Sequence, residues 1–368
     1  KAQGDIHLQD NVDIVTKGGY FLVAGANDTG EPFGGDSPTD YAGSFTSNSS
    51  TTINTTGKND TDGGYVKIRA TVRNPGSANT SGSIDIGGTI TTSGGTAASA
   101  GNGKAAGLVI LQTTSTGTIT IQTGADIVAK GSAANGTNNN GGAGGAVTID
   151  TNATKITLHD TKIETDGGAG GSGGTAGAGG TITISDPLEI GTGTVTLQTG
   201  ASSNNSATTG KVVIEGTLDS VATQTKQLDI ISGAGAVDLG GVIGGNAALS
   251  ALNINASSGT GNIDITNIGD GSPTLGITGT AVLGNANTGT LDLDGTNYDV
   301  GGITFGSNYT FSGSTGNFET SGNIRFLGNV TLNGNMTLDS GGGTIQFDGN
   351  ITGTNTTDIL TLTDGATG

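Results

Sequence analysis

Residues 301–353 read GGITFGSNYTFSGSTGNFETSGNIRFLGNVTLNGNMTLDSGGGTIQFDGNITG, and this stretch contains a repeat. Ile303-Thr304-Phe305, Ile324-Arg325-Phe326 and Ile345-Gln346-Phe347 each begin 21 residues after the one before. A second apolar start follows each Ile, at Tyr309, Val330 and Ile351, and Asn308, Asn329 and Asn350 stand directly before these. Gly301, Gly322 and Gly343 keep the same register. A unit of this length holds two or three short strands with apolar residues at alternate positions, broken by Gly and Asn turns. One unit alone cannot bury its apolar face. Stacked units bury a continuous core and pair each strand with those above and below.

The expected fold is therefore all-β: a right-handed parallel β-helix, or β-solenoid, of about 21 residues per coil, with the hand that parallel crossovers generally take. Ile303, Ile324 and Ile345 should stack inside it, as should Phe305, Phe326 and Phe347. Asn308, Asn329 and Asn350 should form a structural ladder at a turn. There, side-chain amides bond along the stacking axis, and Asn tolerates left-handed backbone.

The N-terminal half repeats at a longer interval. Ile53, Ile90, Ile127 and Ile163 are 37, 37 and 36 residues apart, each with glycine four positions on: Gly57, Gly94, Gly131 and Gly167. A polar, Gly-rich stretch follows each one. The chain then re-enters a strand at Gly63-Gly64-Tyr65-Val66, Ala106-Gly107-Leu108-Val109, Gly144-Gly145-Ala146-Val147 and Gly179-Gly180-Thr181-Ile182. The simplest reading is one coil plus an excursion, with the excursions emerging on one face. Residues 167–180 read GGAGGSGGTAGAGG. Such stretches are either flexible surface loops or extended, polyproline-II-like arms hydrogen-bonded side by side, which only small residues permit.

The expected organisation is an irregular N-terminal segment or cap over 1–50, coils with Gly-rich loops over 51–190, and further coils over 191–368, clearest at 301–353. The segment 1–50 holds Pro32, Phe33, Pro38, Tyr41 and Phe45 without a clear strand pattern. Apolar pairs such as Val195/Leu197, Leu228/Ile230 and Leu252/Ile254 continue between the two repeat regions with no helical period. One continuous solenoid is expected.

Composition narrows the function classes. Of 368 residues 72 are glycine and only 12% are charged, where about 25% is usual. With no cysteine, disulfides, thiolate catalysis and Cys-based zinc sites are excluded. A net charge of −18 disfavours nucleic acid. No apolar run approaches the ~20 residues of a helical membrane span. The chain begins at Lys1 and shows no signal peptide, so it reads as a processed product or a piece of something longer.

The repeat grammar resembles the filamentous-haemagglutinin-like β-helix family of bacterial exoproteins and adhesins, exported by two-partner secretion. The resembling stretches are residues 83–95 (SIDIGGTITTSGG), 145–149 (GAVTI), 179–184 (GGTITI) and 343–353 (GTIQFDGNITG). The family's N-terminal secretion domain has no counterpart here. The resemblance implies a secreted or cell-surface protein with attachment, biofilm or aggregation roles.

Chemistry is sparse. His7 and His159 are far apart, and the acids around His159 alternate as on a solvated strand face. Parallel β-helix hydrolases and lyases need clustered carboxylates in a groove, whereas the acids here are scattered among only 13 basic residues. Asn59-Asp60-Thr61-Asp62-Gly63 and Asp292-Leu293-Asp294-Gly295 have the flavour of calcium turns but lack the full loop and its bidentate Glu. Thr-x-Thr pairs, as at Thr89/Thr91 and Thr181/Thr183, do not march at one period and so make no ice-binding rank. No cofactor, metal or catalytic residue is expected. The expected function is a non-catalytic extracellular rod that meets cell-surface or matrix polysaccharide. The alternative is a self-assembling filament or sheath subunit joined end to end, and a polysaccharide-active enzyme ranks below both.

Overall fold

The computed structural model describes residues 4–23, 42–70, 82–113, 116–152, 154–200, 210–221, 226–257, 259–270, 276–284, 289–293, 298–305, 309–319, 323–326, 330–353 and 355–363. Among these residues every regular element is a β-strand and none is a helix. The strands pair in parallel into long sheets of many strands. The chain divides into two compact units, Lys1–Leu188 and Glu189–Gly368.

In the first unit the strands fall into three parallel ladders. One runs through Gly4–Leu8, Ala42–Ser47, Ile84–Ile86, Ile119–Ile121 and Ile156–His159. The next runs through Asp13–Val15, Thr52–Asn54, Thr89–Thr91, Ile127–Val128 and Lys162–Glu164. The third joins Phe21–Val23, Val66–Ala70, Val109–Thr113, Val147–Asp150 and Ile182–Ile184. Segments such as Ile84–Ile86, Ile119–Ile121 and Ile182–Ile184 form strands because β-branched residues alternate with polar ones, sending one set inward and the other outward.

Pairing in register then places like over like. The columns Phe45–Ile84–Ile119–Ile156, Ile53–Ile90–Ile127–Ile163 and Val66–Val109–Val147–Ile182 are each at most 1% exposed. Strands also occupy parts of 1–50. Phe45 lies on Ala42–Ser47 with its ring edge-on to Phe21, 6.3 Å between centroids. Pro32, Phe33, Pro38 and Tyr41 lie outside the described residues.

In the second unit one ladder joins Thr194–Gln198, Gln227–Ile231, Ala251–Ile254, Ile277–Leu283, Val300–Phe305, Ile324–Phe326 and Ile345–Phe347. Its inward column is Val195–Leu228–Leu252–Ala281–Ile303–Ile324, again at most 1% exposed. Another ladder joins Val212–Ile214, Val237–Ile243, Ile263–Ile268, Thr290–Leu293, Tyr309–Glu319, Val330–Asp339 and Ile351–Gly353, and Leu218–Ser220 pairs with the far end of Val237–Ile243. Leu360–Thr363 pairs with the far half of Val330–Asp339. Bulges between Leu239 and Val242 and between Ser312 and Thr315 let these long strands bend.

Candidate functional site

The Gly-rich excursions of the first unit run out and back as arms, and their hydrogen bonds have a period of three. On one outgoing arm the Gly131 and Ala134 amides donate to the Asp166 and Ala169 carbonyls, while Ser132 and Asn135 donate the other way, to Lys104 and Gly101. On the return arms Gly103, Ala106 and Val109 donate to Asn140, Ala143 and Ala146, and Gly141, Gly144 and Val147 donate to Thr175, Ala178 and Thr181. Out and back also bond to each other: Gly142 and Gly145 to Ser132 and Ala129, Gly177 and Gly180 to Gly168 and Thr165. All of these lie between 2.7 and 2.9 Å. Donors that point the same way at every third residue belong to an extended chain with three residues per turn, the polyproline-II period. This is the bonding expected of side-by-side arms, not of flexible loops.

Glycine is needed where arms touch. A methyl group added to Gly131 or Gly177 would overlap the Gly142 carbonyl, and one on Gly142 would overlap the Lys104 carbonyl.

Each arm is clasped at its root. The hydroxyls of Thr55, Thr92 and Thr165 donate to the carbonyls of Gly64, Gly107 and Gly180, and the amide of the same glycine donates back to the threonine carbonyl. At the equivalent place in the intervening arm stands Ala129, which keeps only the return bond from Gly145. Thr165→Val keeps the side-chain shape but leaves the Gly180 carbonyl one donor short. A loss of about 1–3 kcal/mol is expected, read from urea midpoints, for an unsatisfied buried acceptor.

A second recurrent contact lies at the strand entrances, where a polar side chain just before an inward residue caps the corresponding amide in the partner strand. Asp5 Oδ1 accepts from Ser44 N, Ser44 Oγ from Ser83 N, and Ser83 Oγ from Thr118 N. Asp126 Oδ1 likewise accepts from Lys162 N, Asn262 Oδ1 from Thr290 N, and Asn323 Oδ1 from Thr344 N. Sequence reading missed these residues. Their common signal is position: each immediately precedes the first inward apolar residue of its strand.

The expected ladder residues fare differently. Ile303, Ile324 and Ile345 are Cα partners in register, as are Phe305, Phe326 and Phe347. Ile303 and Ile324 are buried, and Ile345 is half-buried. Asn308 and Asn329 lie outside the described residues. Asn350 is exposed, and its carbonyl accepts from Val330 N at 2.8 Å.

His7 stands on Gly4–Leu8 and His159 on Ile156–His159, with three strands of their ladder between them. Asp60 and Asp62 hold the neighbouring arm: Asp60 pairs with Lys104 at 2.8 Å, and Asp62 Oδ1 accepts from Ala105 N. The Lys104 hydrogen bond and charge keep the Asp60 carboxyl below the usual range. Asp292 stacks in register with Asp264 and Asp238, like charges at strand spacing, and its Oδ1 is buried without a partner. Asp294 and Gly295 lie outside the described residues.

Glu164 lies between Lys130 at 2.8 Å and Lys162 at 3.4 Å. Burial alone would raise its carboxyl, but the two ammonium groups hold it below the ordinary glutamate range. A depressed carboxyl contributes stability above its unfolded pKa and loses it as pH falls through the folded value. Acidification should therefore lower the melting temperature of the chain across that window, and Glu164→Gln should flatten part of the fall in a pH series at fixed ionic strength.

Among the described residues no three His, Cys, Asp or Glu side chains converge as a metal site, and no helix is long and apolar enough to cross a membrane. No family model, curated protein or solved structure matches this chain.

Proposed function

We propose that the chain is the non-catalytic shaft of a secreted or cell-surface bacterial adhesin. In this reading it is a right-handed parallel β-helix with turns of about 21 residues where Ile303, Ile324 and Ile345 follow one another. The observation that carries the reading is the use to which its side chains are put. Inward residues meet their own kind in the partner strand, and outward polar residues bond along the ladder: Arg69 donates to Gln112, and Gln112 donates to Asp150. Polar groups committed in this way hold the stack together and do not converge on a substrate. The resemblance of the repeat grammar to filamentous-haemagglutinin-like exoproteins supports the same role. Its partners are surface or matrix polysaccharides met by weak contacts spread along the length.

Negative-stain electron microscopy across a concentration series tests this. Isolated short rods at every concentration are expected. Long fibres with an axial repeat would replace the shaft with a self-assembling filament subunit, and compact globules would overturn the solenoid itself.

A further inference from the structure

Three Asn–Gly pairs lie in the arms: Asn102-Gly103, Asn135-Gly136 and Asn140-Gly141. In such a pair the glycine has no side chain to shield its amide, so that nitrogen can reach the asparagine carboxamide. The structure treats the three differently. At Asn102 the carboxamide oxygen accepts from Asn140 N at 2.9 Å, and the Gly103 amide donates to the Asn140 carbonyl at 2.8 Å. At Asn140 the oxygen accepts from Thr175 N and Thr175 Oγ1, both at 3.0 Å, and the Gly141 amide donates to the Thr175 carbonyl. Nucleophile and electrophile are thus both tied to the neighbouring arm.

Asn135 is held only through its backbone. Its amide donates to Gly101 O and its carbonyl accepts from Asn139 Nδ2. Its carboxamide and the Gly136 amide make no hydrogen bond, both residues are exposed, and Gly136 turns the tip at φ +91°.

We infer that Asn135 is the site in these arms where the chain converts its own asparagine to isoaspartate. The Gly136 nitrogen, having given its proton to water, attacks Asn135 Cγ. A C–N bond forms, the Cγ–Nδ2 bond breaks, and ammonia leaves with that proton. Water then opens the succinimide at either carbonyl, giving aspartate or isoaspartate, with no redox change. The product carries a new negative charge. In the isoaspartate form it also has one more backbone carbon at the point where the arm reverses, and the main-chain carbonyl that accepts from Asn139 Nδ2 becomes a free carboxylate.

The test is incubation of the folded chain at mildly alkaline pH, with timed peptide mapping by electron-transfer fragmentation and isoaspartyl-methyltransferase labelling. Asn135 should convert about tenfold or more faster than Asn102 or Asn140, the factor that two net hydrogen bonds impose on local opening. In denaturant the three should convert at similar rates, because only the fold distinguishes them. Asn135→Gln should remove the fast component while leaving the other two unchanged. Equal rates at the three sites in the folded chain, or a stable Asn135, would overturn the assignment.

Discussion

Ile127→Ala lowers the stability of the first unit by about 2–5 kcal/mol, while Val128→Thr, one residue along the same strand, stays within about 0.5 kcal/mol. Ile127 is fully buried, with Ile90 and Ile163 as its Cα partners on either side. Removing its outer carbons opens a void against two neighbours at once, and in a stacked architecture each coil's stability includes both of its interfaces. Val128 faces outward between Thr91 and Glu164, where a β-branched polar residue serves equally well. Urea denaturation of the two variants beside the parent reads the difference. Equal losses would mean that the strand does not alternate inward and outward, and the register with it would be wrong.

That contrast also shows how much of the molecule can be read from its sequence. Ile53, Ile90, Ile127 and Ile163 stand out because they recur at nearly constant spacing, and the structure places them in register as one column. Phe305, Phe326 and Phe347 do so for the same reason. Between Val195 and Leu228 the interval is 33 residues and between Ala281 and Ile303 it is 22, so no single period announces that these residues share a column. Unequal connections hide a register that pairing alone enforces.

The polar contacts were less legible. Of the asparagine ladder expected at Asn308, Asn329 and Asn350, the first two lie outside the described residues, and caps such as Asn323 Oδ1 on Thr344 N carried no signal in residue type. The reason is physical: any short side chain with an oxygen can cap an amide, so Asp5, Ser44 and Asn323 do the same work with no shared letter. The arms did carry a signal. In residues 167–180 glycine recurs without a break at Gly168, Gly171, Gly174, Gly177 and Gly180, every third position. The surplus of glycine at other positions masked that period.

Gly142→Ala tests the arms directly, and its effect should be confined to them. Gly142 lies where four segments meet. Its amide donates to Ser132 O, its carbonyl accepts from Gly168 N, and an added methyl would overlap Lys104 backbone atoms. Because the obstruction is backbone and not the end of a flexible side chain, the arms must move apart. Overpacking of this kind costs about 1–3 kcal/mol. The adjacent Ala143 is exposed, so Ala143→Ser provides a matched change that leaves the packing intact.

Amide hydrogen exchange followed by mass spectrometry should show residues 94–107, 131–145 and 167–180 protected in the parent and in Ala143→Ser, and exchanging faster in Gly142→Ala. The columns through Ile90, Ile127 and Ile163 should keep their protection, because the arms open locally while the strand ladders stay closed. Fast exchange of the arms already in the parent would return them to the flexible loops that glycine content alone suggests. Loss of protection in the ladders as well would mean that arms and coils unfold together, so that the glycine lattice is a structural partner of the β-stack and not an appendage to it.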